Sequence, residues 1–317
     1  MMKEKQYEEE YVQLNGVSHY LLHYRSKKAD PVILFIHGGP GTTEAMLAYL
    51  VEEYEERNYN IVYYDQRGTG KTYLKNRKSK PNMELLKQDL FEIVLYLKNS
   101  YQKDKVGILG HSWGSVLGSM FALEHPEHTL CYIGCGQVVN LFENETVGYR
   151  KLKEAIEEAG NAKDKKKLEK IGTYPSTTFD MDSFRKMGQM RKLQEKYHLA
   201  AGVDKNMLRI IKDSPIMGIK DMWPLMIGMM FNMPLMKDLM AFDLKAEGQE
   251  YEVPIYYILG ENDQQTPIEI SMRYFDEIVA PDKELYLIEK AGHITMLDNM
   301  VDYRKALCEI IKKTRQQ

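Results

Sequence analysis

The sequence predicts an α/β protein with a mostly parallel sheet, flanking helices and one long helical insertion. Short apolar runs alternate with stretches of helical periodicity in the first part of the chain, which is the pattern of βαβ units. This alternation stops near Asn140 and returns only at Val253. With 44% apolar and 28% charged residues, the chain of 317 residues has the composition of a folded globular protein.

Three strands are predicted at residues 32–36, 61–64 and 106–109, because each run is apolar as in a strand buried on both faces. Residues 83–99 carry Leu, Ile and Val at helical spacing and predict a helix between the second and third of these strands. Upstream, two short runs flank Asn15-Gly16, a dipeptide typical of hairpin turns, so an antiparallel hairpin is expected there.

The second half of the chain changes character. Residues 143–245 show helical patterns and no convincing strand, and the charged stretch 151–170 is typical of a solvated helical face. Strands return at residues 253–259 and 285–288, with helices at 267–279 and 299–312. We therefore expect an α/β core formed by residues 1–139 and 246–317, and a helical insertion formed by residues 140–245.

Charge and cysteine content exclude several classes of protein. Lys and Arg number 43 and Asp and Glu 46, a net charge of −3, so nucleic acid and anionic membranes are not expected partners. The three cysteines, Cys131, Cys135 and Cys308, lack metal-binding or redox spacing and are expected to be reduced, buried thiols. Residues 1–10 are charged and lack the apolar segment of a secretory signal. The uncharged residues 222–236 are too few to span a bilayer, so a cytoplasmic protein is expected. The oligomeric state is left open.

The motif GHSWG at residues 110–114 fits the G-x-S-x-G turn of a serine nucleophile. It lies directly after a predicted strand and before an apolar helical run, which is the context that the chemistry requires. The flanking glycines let a sharp strand-to-helix turn close. Ser112 is therefore the candidate nucleophile, and a structural turn serine is the alternative.

A second glycine-rich turn, HGGPG at residues 37–41, directly follows the strand at residues 32–36. Its backbone N–H groups could bind an oxyanion together with the N–H of Trp113, the residue after the serine. A phosphate-binding loop is disfavoured, because the G-x-x-x-x-G-K-S/T pattern is absent. A purely structural turn is the remaining alternative.

A serine nucleophile needs a base and a carboxylate that orients the base. His293 is the candidate base, because it follows the last predicted strand, whereas His198 falls in the helical insertion. Asp263 follows the strand at residues 253–259 and is the candidate acid. Glu261, on the same loop, is held in reserve.

Taken together, these features resemble the α/β-hydrolase superfamily and, within it, the proline iminopeptidase branch. The resemblance rests on HGGPG (37–41), DQRGTG (65–70), GHSWGS (110–115) and AGH (291–293) together with Asp263, and covers residues 10–139 and 250–315. It implies a catalytic triad of Ser112, Asp263 and His293, an oxyanion hole from the amides of Gly39 and Trp113, and a helical cap. The DQRGTG turn lies near the active-site floor in such enzymes, but a structural turn held by Asp65 and Arg67 is the favoured interpretation here.

The insertion departs from the family pattern. Family aminopeptidases place cap glutamates against the free α-amine of the substrate, in an acidic stretch that this chain lacks. The corresponding segment, residues 215–240, instead holds eight methionines, which suit either packing on the core or an apolar substrate lining. Glu143 and Glu145 are candidate acceptors for the amine, and Met229 and Phe231 are candidate substrate contacts.

These observations predict a serine hydrolase that cleaves a small amide or ester through an acyl-enzyme. The family-implied substrate is a short peptide with N-terminal proline, and neither a metal nor an organic cofactor is implied. A carboxylesterase or lactonase for small apolar acyl groups is the alternative among enzymes. A non-catalytic small-molecule receptor is the alternative from another class, because a fold alone does not determine function.

Overall fold

A computed structural model of the chain describes residues 6–176, 178–200 and 205–315, with residues 205 and 206 described by their backbone alone. One eight-stranded sheet forms its centre. The strands are β1 (Glu8–Leu14), β2 (Val17–Tyr24), β3 (Val32–Ile36), β4 (Asn60–Tyr64), β5 (Val106–His111), β6 (Thr129–Cys135), β7 (Ile255–Gly260) and β8 (Lys283–Ile288).

The strand order is β1-β2-β4-β3-β5-β6-β7-β8. The pairs β1–β2 and β2–β4 are antiparallel, and every pair from β4 to β8 is parallel. The mostly parallel sheet and the hairpin around Asn15-Gly16 are therefore as predicted. Parallel strands bring all their carboxyl ends to one edge of the sheet, where ligands bind in open α/β folds.

Helices cover both faces of the sheet and fill the gap between β6 and β7. Within the described ranges they are α1 (Ala48–Val51), α2 (Gly70–Lys75), α3 (Met83–Tyr101), α4 (Trp113–Glu124), α5 (Leu141–Glu158), α6 (Ala162–Ile171), α7 (Met181–Lys196), α8 (Lys205–Asp213), α9 (Met222–Phe231), α10 (Met233–Ala241), α11 (Leu244–Glu247), α12 (Ile268–Glu277), α13 (Thr295–Asp298) and α14 (Met300–Thr314). Among them, no helix is long and apolar enough to cross a membrane.

Two apolar cores lie on opposite faces of the sheet. Leucine, isoleucine and valine side chains of α3 and α4 pack on one face, together with α12. The inner faces of α1 and α14 pack on the other. Because the central strands are covered on both sides, β3, β4 and β5 are buried along their whole length, which explains their continuous apolar runs.

The sequence prediction missed β6. Its segment, Thr129 to Cys135, holds only a short apolar stretch before Gly134 interrupts it. The strand forms because its backbone pairs with β5 on one side and β7 on the other. Cys131 and Cys135 are free and buried in it, whereas Cys308 is partly exposed, against the expectation of a buried thiol.

The helices α5 to α11 form the insertion between β6 and β7. Helices α5, α6 and α7 enclose a small apolar cluster of their own that includes Leu152, Leu168 and Met190. Helix α10 instead joins the core on the α3 face, through Leu235 and Leu239.

Helix α9 of the insertion touches the glycine-rich loop that follows β3. A methyl group on Gly228 would overlap the carbonyl oxygen of Gly41, and one on Gly41 would overlap the backbone of Gly228. The two backbones are therefore in direct contact, and only glycine fits at either position. Helix α9 lies as close to this loop as the two main chains allow.

The DQRGTG turn after β4 is held by two buried acidic residues. The side chain of Asp65 accepts hydrogen bonds from the Thr43 hydroxyl and the Lys71 amide, and burial raises its pKa to about 6. Arg67 donates two hydrogen bonds, of 2.8 and 2.7 Å, to the two carboxylate oxygens of Asp89 on α3. These contacts support the structural interpretation of the turn.

We expect Arg67→Met to lower the free energy of unfolding by about 3–5 kcal/mol, because it leaves the Asp89 carboxylate buried without its cation. The side chains of Arg67 and Asp89 are only 5% and 1% exposed. Urea denaturation followed by circular dichroism measures the change. The control is Arg25→Met, which removes the exposed pair with Glu8 and should cost less than about 1 kcal/mol. Equal losses in both variants would contradict a stabilising role for the buried pair.

Candidate active site

Four loops that carry predicted site residues leave the same edge of the sheet. Gly39 follows β3, Ser112 follows β5, Asp263 follows β7 and His293 follows β8. These strands run in the same direction within the parallel part of the sheet. Their loops therefore meet, although the residues are far apart in the chain.

Ser112 sits at the tight turn between β5 and α4, with φ 51° and ψ −121°. A non-glycine residue with positive φ is strained, and such strain persists only where the surroundings hold it. The flanking glycines make the turn possible: a methyl group on Gly114 would overlap the carbonyl oxygen of Ile36, and one on Gly110 would collide with the backbone of α4. The hydroxyl of Ser112 is thereby held at the sheet edge.

The side chains of Ser112, His293 and Asp263 form one row of hydrogen bonds. The Oγ of Ser112 lies 3.0 Å from Nε2 of His293, and Nδ1 of His293 lies 2.9 Å from Oδ2 of Asp263. Glu261 does not take this position, because its carboxylate accepts the backbone N–H of Lys290. The row has the geometry in which a hydroxyl can pass its proton to an imidazole.

Asp263 is buried, but its carboxylate accepts hydrogen bonds from neighbouring protein groups. Its Oδ1 accepts the backbone N–H groups of Gln265 and Thr266, and its Oδ2 accepts the Thr266 hydroxyl at 2.7 Å. Burial opposes ionisation, yet the neighbouring His293 and the Thr266 bonds outweigh it and hold the pKa of Asp263 below its ordinary value. Sequence reasoning did not single out Thr266, although it lies only three positions after Asp263.

Gly39 and Trp113 both border the space in front of Ser112. Trp113 is the first residue of α4, so its N–H has no partner within the helix. Within the described ranges, the backbone N–H groups of Gly39 and Trp113 donate to no backbone acceptor. Both N–H groups are therefore candidate donors to a bound oxygen atom.

A cavity of about 250 Å³ opens in front of Ser112. The sheet edge provides one wall, and α5, α7, α9 and α10 of the insertion provide the others. Most of the lining is apolar, and the insertion contributes Leu141, Phe184, Met187, Met229, Met236 and Leu239.

The methionines of residues 215–240 differ in where their side chains lie. Met229 and Met236 line the cavity, whereas Met226 and Met230 are 77% and 62% exposed. Neither a pure packing role nor a pure lining role describes the segment. Phe231 is not among the lining residues, since its ring packs edge-on against Tyr73 at 4.8 Å between centroids.

One buried carboxylate lies in the cavity wall. Glu145 is 1% exposed and is bound by the guanidinium of Arg191 and the hydroxyl of Tyr174. Both Glu145 and Arg191 border the cavity, whereas Glu143 does not and pairs with Arg273 at 2.6 Å. Arg191 carried no signal in the sequence, because it lies in a charged helix with no motif around it.

His37 supports the glycine-rich loop from inside the core. Its Nε2 accepts the backbone N–H of Gln66 at 3.1 Å, so Nδ1 carries the proton and donates to the carbonyl of Gly38 at 2.7 Å. Burial lowers the pKa of His37 to about 4. The imidazole is therefore neutral at neutral pH.

In the parts of the chain that are described, no group of three or more His, Cys, Asp or Glu side chains could hold a metal ion.

The order of the strands and the helices on both faces of the sheet give the chain the α/β-hydrolase fold. Within that class, the family described as serine aminopeptidase, S33, matches residues 27–300, and the chain belongs to this family. A probable aminopeptidase, YbaC, from Bacillus subtilis (strain 168) is 28% identical over 271 residues, which are 83% of each chain.

Two proline iminopeptidases are also similar to the chain. The one from Heyndrickxia coagulans is 25% identical over 282 residues, which are 86% of this chain and 87% of the relative. The solved structure of the one from Mycobacterium smegmatis superposes with a TM-score of 0.67 at 17% identity, over 98% of this chain and 99% of the other. The structural likeness establishes a shared fold.

Because His37 is buried in its neutral form, we expect the protein to be less stable at acidic pH than at neutral pH. The unfolded histidine has a pKa of about 6.5, whereas burial lowers the folded value to about 4. The unfolded state thus binds more protons between these values, so stability is lost as the pH falls from 6.5 towards 4, by about 2–3 kcal/mol at pH 4.5.

Urea unfolding of the natural protein and of His37→Gln, at pH 7.5 and 4.5, isolates this contribution. The glutamine does not titrate, while the remaining groups titrate in both proteins. The natural protein should lose about 2–3 kcal/mol more than the variant on acidification. The same pH dependence in both proteins would show that His37 is not held neutral.

Proposed function

We propose that the protein is a serine hydrolase that works through an acyl-enzyme. Ser112 attacks a carbonyl carbon while Nε2 of His293 takes the hydroxyl proton. Asp263 keeps the proton of His293 on Nδ1 and stabilises the imidazolium that forms. The observation that carries this proposal is the row of hydrogen bonds of 3.0 and 2.9 Å that joins the three side chains.

The negative charge that develops on the carbonyl oxygen needs donors already in place. We assign this role to the backbone N–H groups of Gly39 and Trp113, because both residues border the cavity beside Ser112. Fixed amides stabilise a developing oxyanion without reorganisation, and one such donor is worth about 10²–10³ in rate.

His293 passes on the proton that it took from Ser112. It gives this proton to the leaving group, whose bond to the carbonyl carbon breaks, and the acyl-enzyme is formed. It then takes a proton from water, which attacks the acyl-enzyme and releases the acid. Ser112 recovers its proton from His293 at the end of the cycle.

We propose that the insertion, residues 140–245, acts as the cap of the site, with residues 1–139 and 246–317 as the core. The support is that helices of the insertion provide most of the apolar cavity lining. A covered apolar cavity excludes bulk water and strengthens electrostatic interactions inside it. The cap would thus select the acyl part of the substrate by shape.

For the substrate, we propose a short peptide whose N-terminal residue is small and apolar, with proline as the leading case. The family and two relatives named as aminopeptidases or iminopeptidases support an aminopeptidase activity. Glu145 supports it as well, because this residue borders the cavity and a carboxylate is the group that accepts a free α-amine. The small apolar cavity suits the side chain of such a residue.

A carboxylesterase for small apolar acyl groups is the second candidate. The observation in its favour is the ion pair between Glu145 and Arg191, which neutralises the carboxylate that an amine would need. The rest of the cavity lining is largely apolar, as an acyl chain without charge would require.

We expect Ser112→Ala to lower kcat by about 10⁴–10⁶-fold with little change in thermal stability, since the triad acts as a unit. A fluorophosphonate probe should label the natural protein and not the variant. Failure of the natural protein to react with the probe would favour a non-catalytic receptor on the same fold.

The acid of the triad is tested by a matched pair of variants from one loop. Asp263→Asn should lower kcat by about 10⁴-fold, because an amide can hold the imidazole in the wrong tautomer. Glu261→Gln changes a carboxylate two positions away that binds the Lys290 amide, and it should keep kcat within about threefold of the natural value. The opposite ranking would assign the acid to Glu261.

We expect Glu145→Gln to separate the two substrate classes. If Glu145 accepts the α-amine, the variant should lose about 10²-fold in kcat/KM on proline p-nitroanilide, since an ionic hydrogen bond is lost. Turnover of p-nitrophenyl acetate, which has no amine, should change little. Glu143→Gln is the control and should affect neither substrate.

An esterase gives a different pattern in the same assay. The natural protein would then hydrolyse p-nitrophenyl acetate strongly and leave proline p-nitroanilide intact. That result would overturn the aminopeptidase proposal while leaving the roles of Ser112 and His293 in place.

A further inference from the structure

A second histidine–carboxylate pair lies behind the Ser112–His293 contact. His111 is the last residue of β5, and Glu44 lies on the loop that follows β3. Their side chains are 3% and 12% exposed, and Nδ1 of His111 lies 2.6 Å from Oε1 of Glu44. The mechanism proposed above does not use either group.

Each end of this pair is tied to a backbone group of the site. Nε2 of His111 lies 2.9 Å from the carbonyl oxygen of His293. Oε2 of Glu44 accepts the backbone N–H of Gly38 at 3.1 Å, next to Gly39. The pair therefore bridges the loop after β8 and the glycine-rich loop after β3.

The partners of His111 determine its protonation. A carbonyl oxygen can only accept, so Nε2 of His111 must carry a proton. The carboxylate of Glu44 also accepts, so Nδ1 carries a second one, and the ring is an imidazolium. Burial disfavours that charge, but Glu44 outweighs it and raises the pKa of His111. Burial likewise opposes the carboxylate of Glu44, yet His111 and the Gly38 amide lower its pKa.

We propose that Glu44 and His111 form a charged positioning pair that fixes the His293 loop against the glycine-rich loop and places a positive charge beside the His293 ring. This proposal rests on the proposed function, because it assigns His293 as the base. The centroids of the two imidazole rings are 5.1 Å apart.

Other titratable groups around the two histidines come from every loop at this edge. They are His37 after β3, Cys135 at the end of β6, Asp263 after β7, Asp298 on α13 and Tyr303 on α14. Burial keeps His37 neutral by lowering its pKa to about 4, and it raises the pKa values of Cys135 and Tyr303. Asp263 and Asp298 are the other carboxyl groups in these surroundings.

Glu44→Gln removes the ion pair between Glu44 and His111 and keeps the hydrogen bonds of both side chains. The glutamine carbonyl can still accept the Gly38 amide, and its NH₂ group can donate to a neutral His111, which still donates to His293. The rate of fluorophosphonate labelling at its pH plateau should stay within about threefold of the natural rate.

His111→Phe removes both the charge and the bridge. The plateau rate should fall by at least about tenfold, because the base and the oxyanion donors are no longer held together. Thermal unfolding checks that each variant is folded.

A plateau rate of His111→Phe equal to the natural rate would overturn the proposal, because the two loops would then be held in place without the pair. The protonation of His111 is tested independently by ¹⁵N NMR of the histidine side chains at pH 8. Two protonated ring nitrogens in the natural protein, and one in Glu44→Gln, are expected; a neutral ring in the natural protein would refute the charged pair. This measurement requires no enzymatic activity, so it stands even if Ser112 does not react with the probe.

Discussion

The parallel hydrogen bonding of the central strands is the constraint on which the rest of the structure depends. Ser112 and His293 are 181 positions apart, yet their side-chain atoms lie 3.0 Å from each other. The two residues meet because the strands β5, β6, β7 and β8 are parallel and end at the same edge of the sheet. The buried apolar faces of these strands hold the register, since a slip by one residue would turn core side chains outward.

Burial and hydrogen-bond partners give three neighbouring histidines three different environments. His37 is surrounded by one backbone donor and one backbone acceptor, and burial keeps it neutral. His111 lies between the carboxylate of Glu44 and the carbonyl oxygen of His293, and we propose that it is a cation. His293 faces a hydroxyl on one side and a carboxylate on the other, the arrangement suited to moving a proton. Residue type alone does not reveal these differences.

Sequence reasoning could reach the parts of the site that depend on local chain geometry. GHSWG and the residues after each predicted strand identified Ser112, Asp263 and His293, because a strand end fixes where the next few residues lie. It could not choose between Asp263 and Glu261, since one loop carries both and only its fold selects the carboxylate. The sheet itself was predicted except for β6, which forms through pairing with its neighbours rather than through a long apolar run.

The insertion was the least predictable part. Its helices were expected, but Arg191 meets Glu145 through the packing of α7 on α5, 46 positions away in the chain. Glu143 and Phe231 had the expected chemistry and point elsewhere. The backbone contact between Gly41 and Gly228 adds a mechanical consequence. Because no side chain separates the two backbones, α9 cannot tilt towards the sheet without displacing the loop that carries Gly39. A movement of the insertion would therefore also move one of the two amides that we propose as oxyanion donors.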